Sequence, residues 1–166
     1  MLNSIETSAI QQIDPIQFEV VRSALTQVAE EMAAALRRSA YSTNVKTRQD
    51  FSCAFFDRDC RPISQAFTQP VHLGSFVELI PTSVAQYGAE NLEPGDMLVV
   101  NNPFGGGSHL NDVTVFGPVH HNSELVGYVA SLAHHVDVGG GAPASIGPFQ
   151  EIFQEKCCRY YDDLKQ

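Results

Sequence analysis

The sequence predicts an α+β protein in which one long N-terminal helix packs on a mainly antiparallel sheet built from hairpins. Three observations predict this class. Apolar residues recur at helical spacing from Pro15 to about Ser39, apolar residues alternate around a turn in the 51–67 segment, and two later apolar runs flank a polar turn. The order helix, hairpin, helix, strands favours α+β over a parallel α/β fold. The 166 residues have the length of one domain.

The first predicted element is a long amphipathic helix. Asp14 can cap it, and Pro15 suits the first helical position because its missing N–H is not needed there. The apolar stripe expected to pack into the core consists of Val21, Leu25, Val28, Met32 and Leu36. The preceding residues, 1–13, are polar and unpatterned, and we expect a flexible arm there.

The second predicted element is a β-hairpin in the segment DFSCAFFDRDCRPISQAF. Its first strand alternates through Phe51, Cys53 and Phe55, its turn is Asp57–Cys60, and its return strand carries Ile63, Gln65 and Phe67. Because Cys53 lies inside an apolar strand, we interpret it as a core residue rather than a nucleophile.

Beyond the hairpin, the sequence predicts one short helix and three more strands. The helix is expected after Gly74-Ser75, with Pro81 breaking or restarting it before Gly88. The strands are MLVVN, which comes after a turn at residues 93–96, and VTVFGPV and LVGYVASL, which are joined by a polar turn at residues 121–124. After Gly139, the segment GGGAPASIGP is expected to form an irregular loop.

Composition excludes several classes of function. The hydrophobic fraction of 43% with 17% charged residues is ordinary for a soluble globular protein, and a net charge of −9 would repel a nucleic-acid backbone. No apolar run approaches the ~20 residues needed to span a bilayer, and the N-terminus does not resemble a secretory signal. Four cysteines at these spacings do not form a disulfide scaffold, so a cytoplasmic location is expected.

All six histidines lie between residues 72 and 135. If the last hairpin folds about Asn122-Ser123, residues 109–112 come opposite residues near 133–136, which brings His109, Asp112 and His134 together. A register shifted by one residue would replace His134 by His135. Two imidazoles and one carboxylate with an open position suit Zn, Mn or Fe in a catalytic role, and Asp137 is a further group that can orient a ligating histidine.

Other interpretations of these residues remain open. His120 and His121 flank a turn and are expected on the surface, and His72 in PVHLGS suits a buried, hydrogen-bonded histidine. Ser108 is adjacent to His109, but neighbours in a strand point to opposite faces, so covalent catalysis ranks below metal-assisted chemistry. The glycine runs lack the lysine of a P-loop and are expected to form sharp turns or approach a substrate closely. These loop glycines are Gly105, Gly106, Gly107, Gly139 and Gly140.

Several segments, in order, resemble the N-terminal region of hydantoinase B/5-oxoprolinase proteins. They are DPIQFEVVRSAL, EEMAAALRRSAYS, DFSCAFFD, QPVHLGS, PGDMLVVNNPFGGGSHLNDVT and LVGYVASLAHHVDVGG. The resemblance runs from about Asp14 to Glu155, so residues 14–155 are interpreted as the N-terminal region of a larger fold.

The resemblance implies a reaction and a partner. In this family a hydantoinase A-type partner uses ATP to phosphorylate a carbonyl oxygen, and the B-type component then opens the ring of a small cyclic amide such as 5-oxoproline or an N-methylhydantoin. Related carboxylases join acetone or acetophenone to a carboxyl donor. The resemblance therefore implies a hetero-oligomer and, by its match to the metal-containing carboxylases, a divalent metal (Zn, Mn or Fe) on His109, Asp112 and His134.

Two departures from the family pattern stand out. Many relatives have an acidic residue in a K-E-R-x-D segment, where this chain has KTRQD with Thr47 at that place, so water or Asp50 is expected to complete the coordination. Family members are also several times longer, and residues 156–166 do not resemble the corresponding segment of those proteins. We therefore expect a truncated B-type subunit or a separately encoded first module, and a non-catalytic fragment remains an alternative.

Overall fold

The computed structural model describes residues 14–142, 147–155 and 162–164. The arm expected at residues 1–13, the central part of the expected loop after Gly139, and most of the 156–166 tail lie outside the described residues. The helices are α1 Pro15–Ser39, α2 Thr43–Lys46, α3 Pro70–Tyr87 and α4 Ile152–Glu155. The strands are β1 Phe51–Asp57, β2 Pro62–Gln65, β3 Met97–Val100, β4 Asp112–His121, β5 Glu124–His134 and β6 Asp162–Leu164.

The strands form one sheet in the order β2-β1-β5-β4-β3-β6, and each neighbouring pair is antiparallel. The predicted α+β class with antiparallel hairpins is therefore confirmed. Strand β6, which pairs with β3, was not predicted from the sequence. The longest pairings are those of β1 with β5 and of β4 with β5. They bring the first residues of β1 and β4 beside the last residues of β5, at one end of these three strands.

Helices cover both faces of the sheet, a placement that the sequence did not predict for the second helix. Ala54 and Phe56 of β1 pack into a cluster with α3, while Phe51 and Cys53 pack on the opposite face with α1 and α2. This explains why nearly every β1 residue is buried. Burial, and secondarily the negative charge of Glu30, raise the pKa of the Cys53 thiol to about 12, which is consistent with a core residue.

Helix α1 has the predicted bounds but not the predicted buried face. The Asp14 carboxylate accepts the N–H of Ile16 at 3.1 Å, as an N-cap should. The predicted apolar stripe is wrong in its first half, because Val21 and Val28 are 57% and 42% exposed. The residues buried against the sheet are Ala29 and Ala33, whose small side chains allow the helix to approach β1 closely.

Helix α3 is longer than predicted and runs through its proline. It begins at Pro70, not after Gly74-Ser75, and Pro81 does not break it. An interior proline costs a helix roughly 3 kcal/mol, but the helix buries Phe76 and Ile80 before Pro81 and Val84 after it in one core cluster. Packing on the sheet therefore overrides the local preference. Within the described ranges, no helix is long and apolar enough to cross a membrane.

The hairpin of β1 and β2 is shorter than predicted. Strand β2 ends at Gln65, so Phe67 lies outside the strand and its side chain is 96% exposed. The turn itself lies where the sequence placed it, because the Asp57 carbonyl accepts the N–H of Cys60 at 3.0 Å.

The hairpin of β4 and β5 has a two-residue turn and one irregularity. Asn122 and Ser123 have φ values of 49° and 66°, which suit the tight turns that join antiparallel strands. The register changes between Val119, which pairs with Gly127, and His120, which pairs with Leu125, so one residue of β5 bulges out. Beyond the bulge the strands stay in register as far as Asp112, which lies opposite His134.

Candidate metal centre

The candidate site lies where β1, β5 and β4 end side by side. Asp112 is the first residue of β4 and pairs with His134, the last residue of β5. The N–H of His134 donates to the backbone carbonyl of Asp50, which directly precedes β1, at 3.0 Å. Asp112 and His134 therefore lie on the same face of the sheet, and this face is the one that α3 covers.

Three polar atoms, one each from His109, Asp112 and His134, converge at this end of the strands. His109 Nε2 lies 2.9 Å and His134 Nδ1 lies 3.0 Å from the same oxygen, Asp112 Oδ1. The two ring nitrogens are 3.1 Å apart, and the rings stack with centroids 4.9 Å apart. The Asp112 carboxylate is buried, whereas both imidazoles are partly exposed. The structure thus brings the three sequence-predicted residues together.

This geometry fits a divalent metal better than a hydrogen-bonded cluster. Three atoms in a triangle with sides of 2.9, 3.0 and 3.1 Å do not form three linear hydrogen bonds, because each N–H points along only one side. Ligand atoms on a tetrahedral zinc with bonds of about 2.0–2.2 Å lie roughly 3.3–3.5 Å apart, so a slight spreading would admit an ion. The donor set of two imidazoles and one carboxylate suits Zn, Mn or Fe.

The turn before β4 carries a second contact to the carboxylate. Ser108 Oγ donates to Asp112 Oδ2, while His109 approaches Oδ1 of the same side chain. The expectation that Ser108 and His109 point to opposite faces is wrong, because this segment is a turn in which the His109 carbonyl accepts the N–H of Asp112. A turn, unlike a strand, allows two adjacent side chains to reach one carboxylate.

Two buried asparagines that sequence reasoning missed hold this turn in place. Asn101 Nδ2 donates to the Leu110 carbonyl at 2.9 Å, and Asn111 Nδ2 donates to the His135 carbonyl at 2.5 Å. The His135 N–H returns a bond to the Asn111 carbonyl at 2.8 Å. The only signal in the sequence was the presence of asparagines immediately beside apolar strand residues, where a buried amide must find partners.

The Asp112 carboxyl is held ionised. Burial would raise its pKa, but hydrogen bonds from His109 and Ser108, together with the charges of His109 and His72, outweigh burial and lower the pKa from 3.8 to about 2. A carboxylate that stays charged over the physiological range is ready to bind a cation.

This depressed pKa predicts a specific loss of stability in acid. Because the folded state holds the proton less tightly than the unfolded state, Asp112 stabilises the metal-free protein above pH 3.8, and this contribution disappears as the pH falls towards 2. The shift corresponds to roughly 2 kcal/mol. Urea unfolding of the wild type and of Asp112→Asn between pH 5 and pH 2.5 measures it, since the variant lacks the group. Equal pH dependence in the two proteins would contradict this assignment.

His72 and Asp50 also lie beside the cluster. His72 is buried, and its Nε2 lies 3.6 Å from Asp50 Oδ1 and 3.6 Å from Asp112 Oδ2. Its Nδ1 lies 3.3 Å from Ser52 Oγ. Burial lowers the pKa of His72, although the charges of Asp112 and Asp50 act in the opposite direction. The structure therefore supports the simpler interpretation of a buried, hydrogen-bonded histidine and places that histidine against two carboxylates.

Other predicted residues lie away from the cluster. Asp137, expected to orient a ligating histidine, is exposed and instead accepts the N–H of Gly139 at 2.8 Å. His135 is exposed, and the residue that pairs with Asp112 is His134, so the alternative register with His135 in that place is not the one observed. His120 and His121 lie at the other end of the hairpin, beside its turn.

The glycine runs serve the backbone in two ways. A Cβ on Gly106 would lie 2.7 Å from the Leu79 amide nitrogen, so the first run packs directly on α3. Gly139 and Gly140 have φ values of 89° and 95°, which favour glycine. The proposed contact of Gly105, Gly106, Gly107, Gly139 and Gly140 with a substrate stays a prediction.

An open groove of about 480 Å³ borders the cluster. Its lining includes Tyr41, Ser42, Thr43, His134 and His135, so the groove adjoins one residue of the cluster. Tyr41 is fully exposed on the rim. A groove of this volume suits a small molecule rather than a folded partner.

The fold and the site together define a helix-flanked antiparallel sheet that carries a His–Asp–His cluster at one end. Comparison with known proteins identifies the protein family to which the chain belongs. The chain belongs to the hydantoinase B/oxoprolinase family, whose sequence model matches residues 14–159.

Relatives and solved structures agree with this assignment. The chain is 42% identical to 5-oxoprolinase 1 of Arabidopsis thaliana over 143 residues, which is 86% of this chain. It is similar to the crystal structure of an ATP-dependent caprolactamase from Pseudomonas jessenii, with a TM-score of 0.75 and 32% identity over 92% of the chain. It also shares the fold of an acetone carboxylase, with a TM-score of 0.71 and 20% identity over 80% of the chain.

The chain is short relative to these proteins. It spans 11% of the plant 5-oxoprolinase, 26% of the caprolactamase chain and 18% of the acetone carboxylase chain. The activities, substrates and partners of those whole proteins therefore come to this chain only as proposals.

Proposed function

We propose that this chain is the metal-binding N-terminal part of the B-type component of an ATP-dependent cyclic-amide hydrolase. The substrate class is a small cyclic amide of the 5-oxoproline or hydantoin type. The observation that carries the proposal is the convergence of His109, Asp112 and His134 on one point in a chain of this family.

The three residues have distinct parts in such a site. Asp112 supplies the buried negative charge, and His109 and His134 supply nitrogen ligands beside its Oδ1. These three residues would hold a divalent cation, which would supply Lewis-acid chemistry for polarising a carbonyl oxygen or activating a water. Ser108 donates to Asp112 Oδ2 and so turns Oδ1 towards the two imidazoles. The adjoining groove offers room for a small ring beside His134.

The use of ATP is assigned to a separate A-type partner. The chain has no P-loop sequence, and its net charge of −9 disfavours a nucleotide phosphate site. The family is that of hydantoinase B and oxoprolinase, and the similar caprolactamase is ATP-dependent. A hetero-oligomer with an A-type subunit accounts for both observations.

Turnover assays test this function directly. The purified chain is combined with a hydantoinase A-type partner, ATP and Mn²⁺ or Zn²⁺, and the opening of 5-oxoproline or a hydantoin is measured. We expect metal-dependent ring opening that His109→Ala abolishes and that Asp59→Asn, an exposed change in the turn between β1 and β2, leaves intact. Absence of turnover under conditions where a full-length relative is active would refute hydrolase activity for this chain.

The same assay distinguishes two other functions. A ketone carboxylase subunit would incorporate labelled bicarbonate into acetone and leave the cyclic amides intact; the likeness to acetone carboxylase extends to the fold alone. A non-catalytic fragment would bind no stoichiometric metal after gentle purification, and His109→Ala would change none of its properties.

A further inference from the structure

A series of contacts between polar side chains connects Thr68 and Ser52, through His72, to the candidate metal centre. Thr68 Oγ1 donates to Ser52 Oγ at 3.0 Å, and Ser52 Oγ lies 3.3 Å from His72 Nδ1. The opposite nitrogen of the same ring, Nε2, faces Asp50 and Asp112 at 3.6 Å each. Ser52 and His72 are both buried, so the protein itself must satisfy their polar atoms.

The surroundings of His72 determine which ring nitrogen carries its proton. A lone pair on Nε2 would point at two carboxylate oxygens and be repelled by both, whereas an N–H at this position is attracted by both. Nδ1 of the neutral ring is then an acceptor, and the hydroxyl of Ser52 is the donor within reach. Ser52 Oγ accepts from Thr68, and its own proton has two acceptors within reach, Nδ1 at 3.3 Å and the Gln69 carbonyl at 3.2 Å. Because that carbonyl also accepts the N–H of Leu73, the Ser52 proton can turn towards Nδ1 without leaving the carbonyl unsatisfied.

We propose that Ser52 and His72 are positioning residues that fix the carboxylate of Asp112 for metal binding. Ser52 holds His72 in the tautomer with its proton on Nε2, and that N–H faces Asp112 Oδ2. Ser108 donates to the same oxygen, so both groups engage Oδ2 and leave Oδ1 turned towards His109 and His134. Asp112 is thereby presented as a ligand through one oxygen.

The contacts of His72 also connect Asp50 to the candidate metal centre. Its carboxylate lies 3.6 Å from His72 Nε2, the same distance as the carboxylate of Asp112, and its backbone carbonyl accepts the N–H of His134. One residue at the start of β1 thus contacts the positioning histidine and a predicted ligand at the same time. The proposal rests on the proposed metal centre for its consequence, but the tautomer itself is a property of the metal-free protein.

The tautomer is measured by NMR on the metal-free chain with ¹⁵N-labelled histidine, with the His72 signals assigned from their loss in His72→Gln. We expect a protonated Nε2 and an unprotonated Nδ1 in the wild type. In Ser52→Ala, which removes the donor to Nδ1, we expect a detectable population of the other tautomer. A wild-type ring protonated on Nδ1, or on both nitrogens at pH 7.5, would overturn the proposal.

Affinity for Mn²⁺ or Zn²⁺, measured by calorimetry, tests the consequence. Residues that orient metal ligands are worth about 10–100-fold in affinity, so we expect Ser52→Ala to weaken binding by about 10-fold. The matched control is Ser75→Ala, which removes a hydroxyl bonded to the His72 backbone carbonyl and leaves the ring contacts intact. His72→Gln, which keeps an N–H donor, should bind more tightly than His72→Leu.

The NMR and affinity measurements distinguish failure of the positioning role of Ser52 and His72 from failure of the proposed function. Equal affinities for Ser52→Ala and Ser75→Ala would overturn the positioning role even if the wild type binds metal tightly. A wild type that shows the expected tautomer but binds no metal would refute the proposed function and the positioning role together, while leaving the orientation of His72 established.

Discussion

Replacing Asp112 by asparagine is expected to abolish metal binding at the His–Asp–His cluster. The substitution preserves the shape of the side chain but removes the buried negative charge, which both histidines contact through Oδ1. Because residues that merely orient ligands are worth about 10–100-fold, loss of the only carboxylate in the triad should weaken Mn²⁺ or Zn²⁺ binding by more than about 100-fold. The residual pair of imidazoles would be a weak site.

Equilibrium dialysis with metal analysis measures this effect, with Asp137→Asn as the matched control. The control makes the same chemical change on the loop after β5, where the side chain is exposed and caps the backbone at Gly139. We expect one ion per chain in the wild type and the control, and none in Asp112→Asn. Stoichiometric metal in the Asp112 variant would mean that the ion binds elsewhere.

Truncating Phe56 to alanine is expected to cause the largest loss of folding stability. Its side chain is 1% exposed and meets Phe76 of α3 edge-on, with ring centroids 6.0 Å apart. Phenylalanine-to-alanine changes in cores cost about 3–5 kcal/mol, through lost burial and the cavity left behind. For a domain of this size, that loss lowers Tm by roughly 6–20 °C.

Urea unfolding followed by circular dichroism provides the measurement, and Phe67→Ala provides the control. Phe67 is the same residue type only eleven positions away, but its side chain is 96% exposed. A surface change of this kind should alter the free energy of unfolding by no more than about 0.5 kcal/mol. Similar losses in the two variants would show that the contact between β1 and α3 does not stabilise the fold.

Elements set by local signals were predictable from the sequence. Helix α1 has its proline and its aspartate cap in the expected places, and the last hairpin has its turn at Asn122 and Ser123. The features that failed depend on packing between distant segments. Pro81 remains inside α3, and Val21 remains exposed, because the position of the sheet, not the helix sequence, decides which face is buried.

The candidate site shows the same division. His109, Asp112 and His134 converge through one hairpin, and locating its turn was enough to bring residues 109–112 opposite residues near 133–136, although the bulge at Val126 decides which residue faces Asp112. The contact between His72 and Asp112 could not be predicted from spacing along one hairpin, because it requires α3 to cross the sheet at one particular position. The side-chain hydrogen bonds of Asn101 and Asn111 were missed for a related reason, since their acceptors are backbone carbonyls, which have no sequence signature.

The bulge in the β4–β5 hairpin is what sets His134 opposite Asp112. Regular pairing from the two-residue turn would place Ala133 there and direct the side chain of His134 to the other face of the sheet; Val126, which pairs with no residue of β4, moves His134 into place instead. The positions of the candidate ligands therefore depend on a backbone irregularity that lies far from them along the strand. Removing Val126 would delete the bulged residue itself, so regular pairing of the shortened strand would still set His134 opposite Asp112. A substitution that flattens the bulge without shortening the strand would instead separate the two side chains.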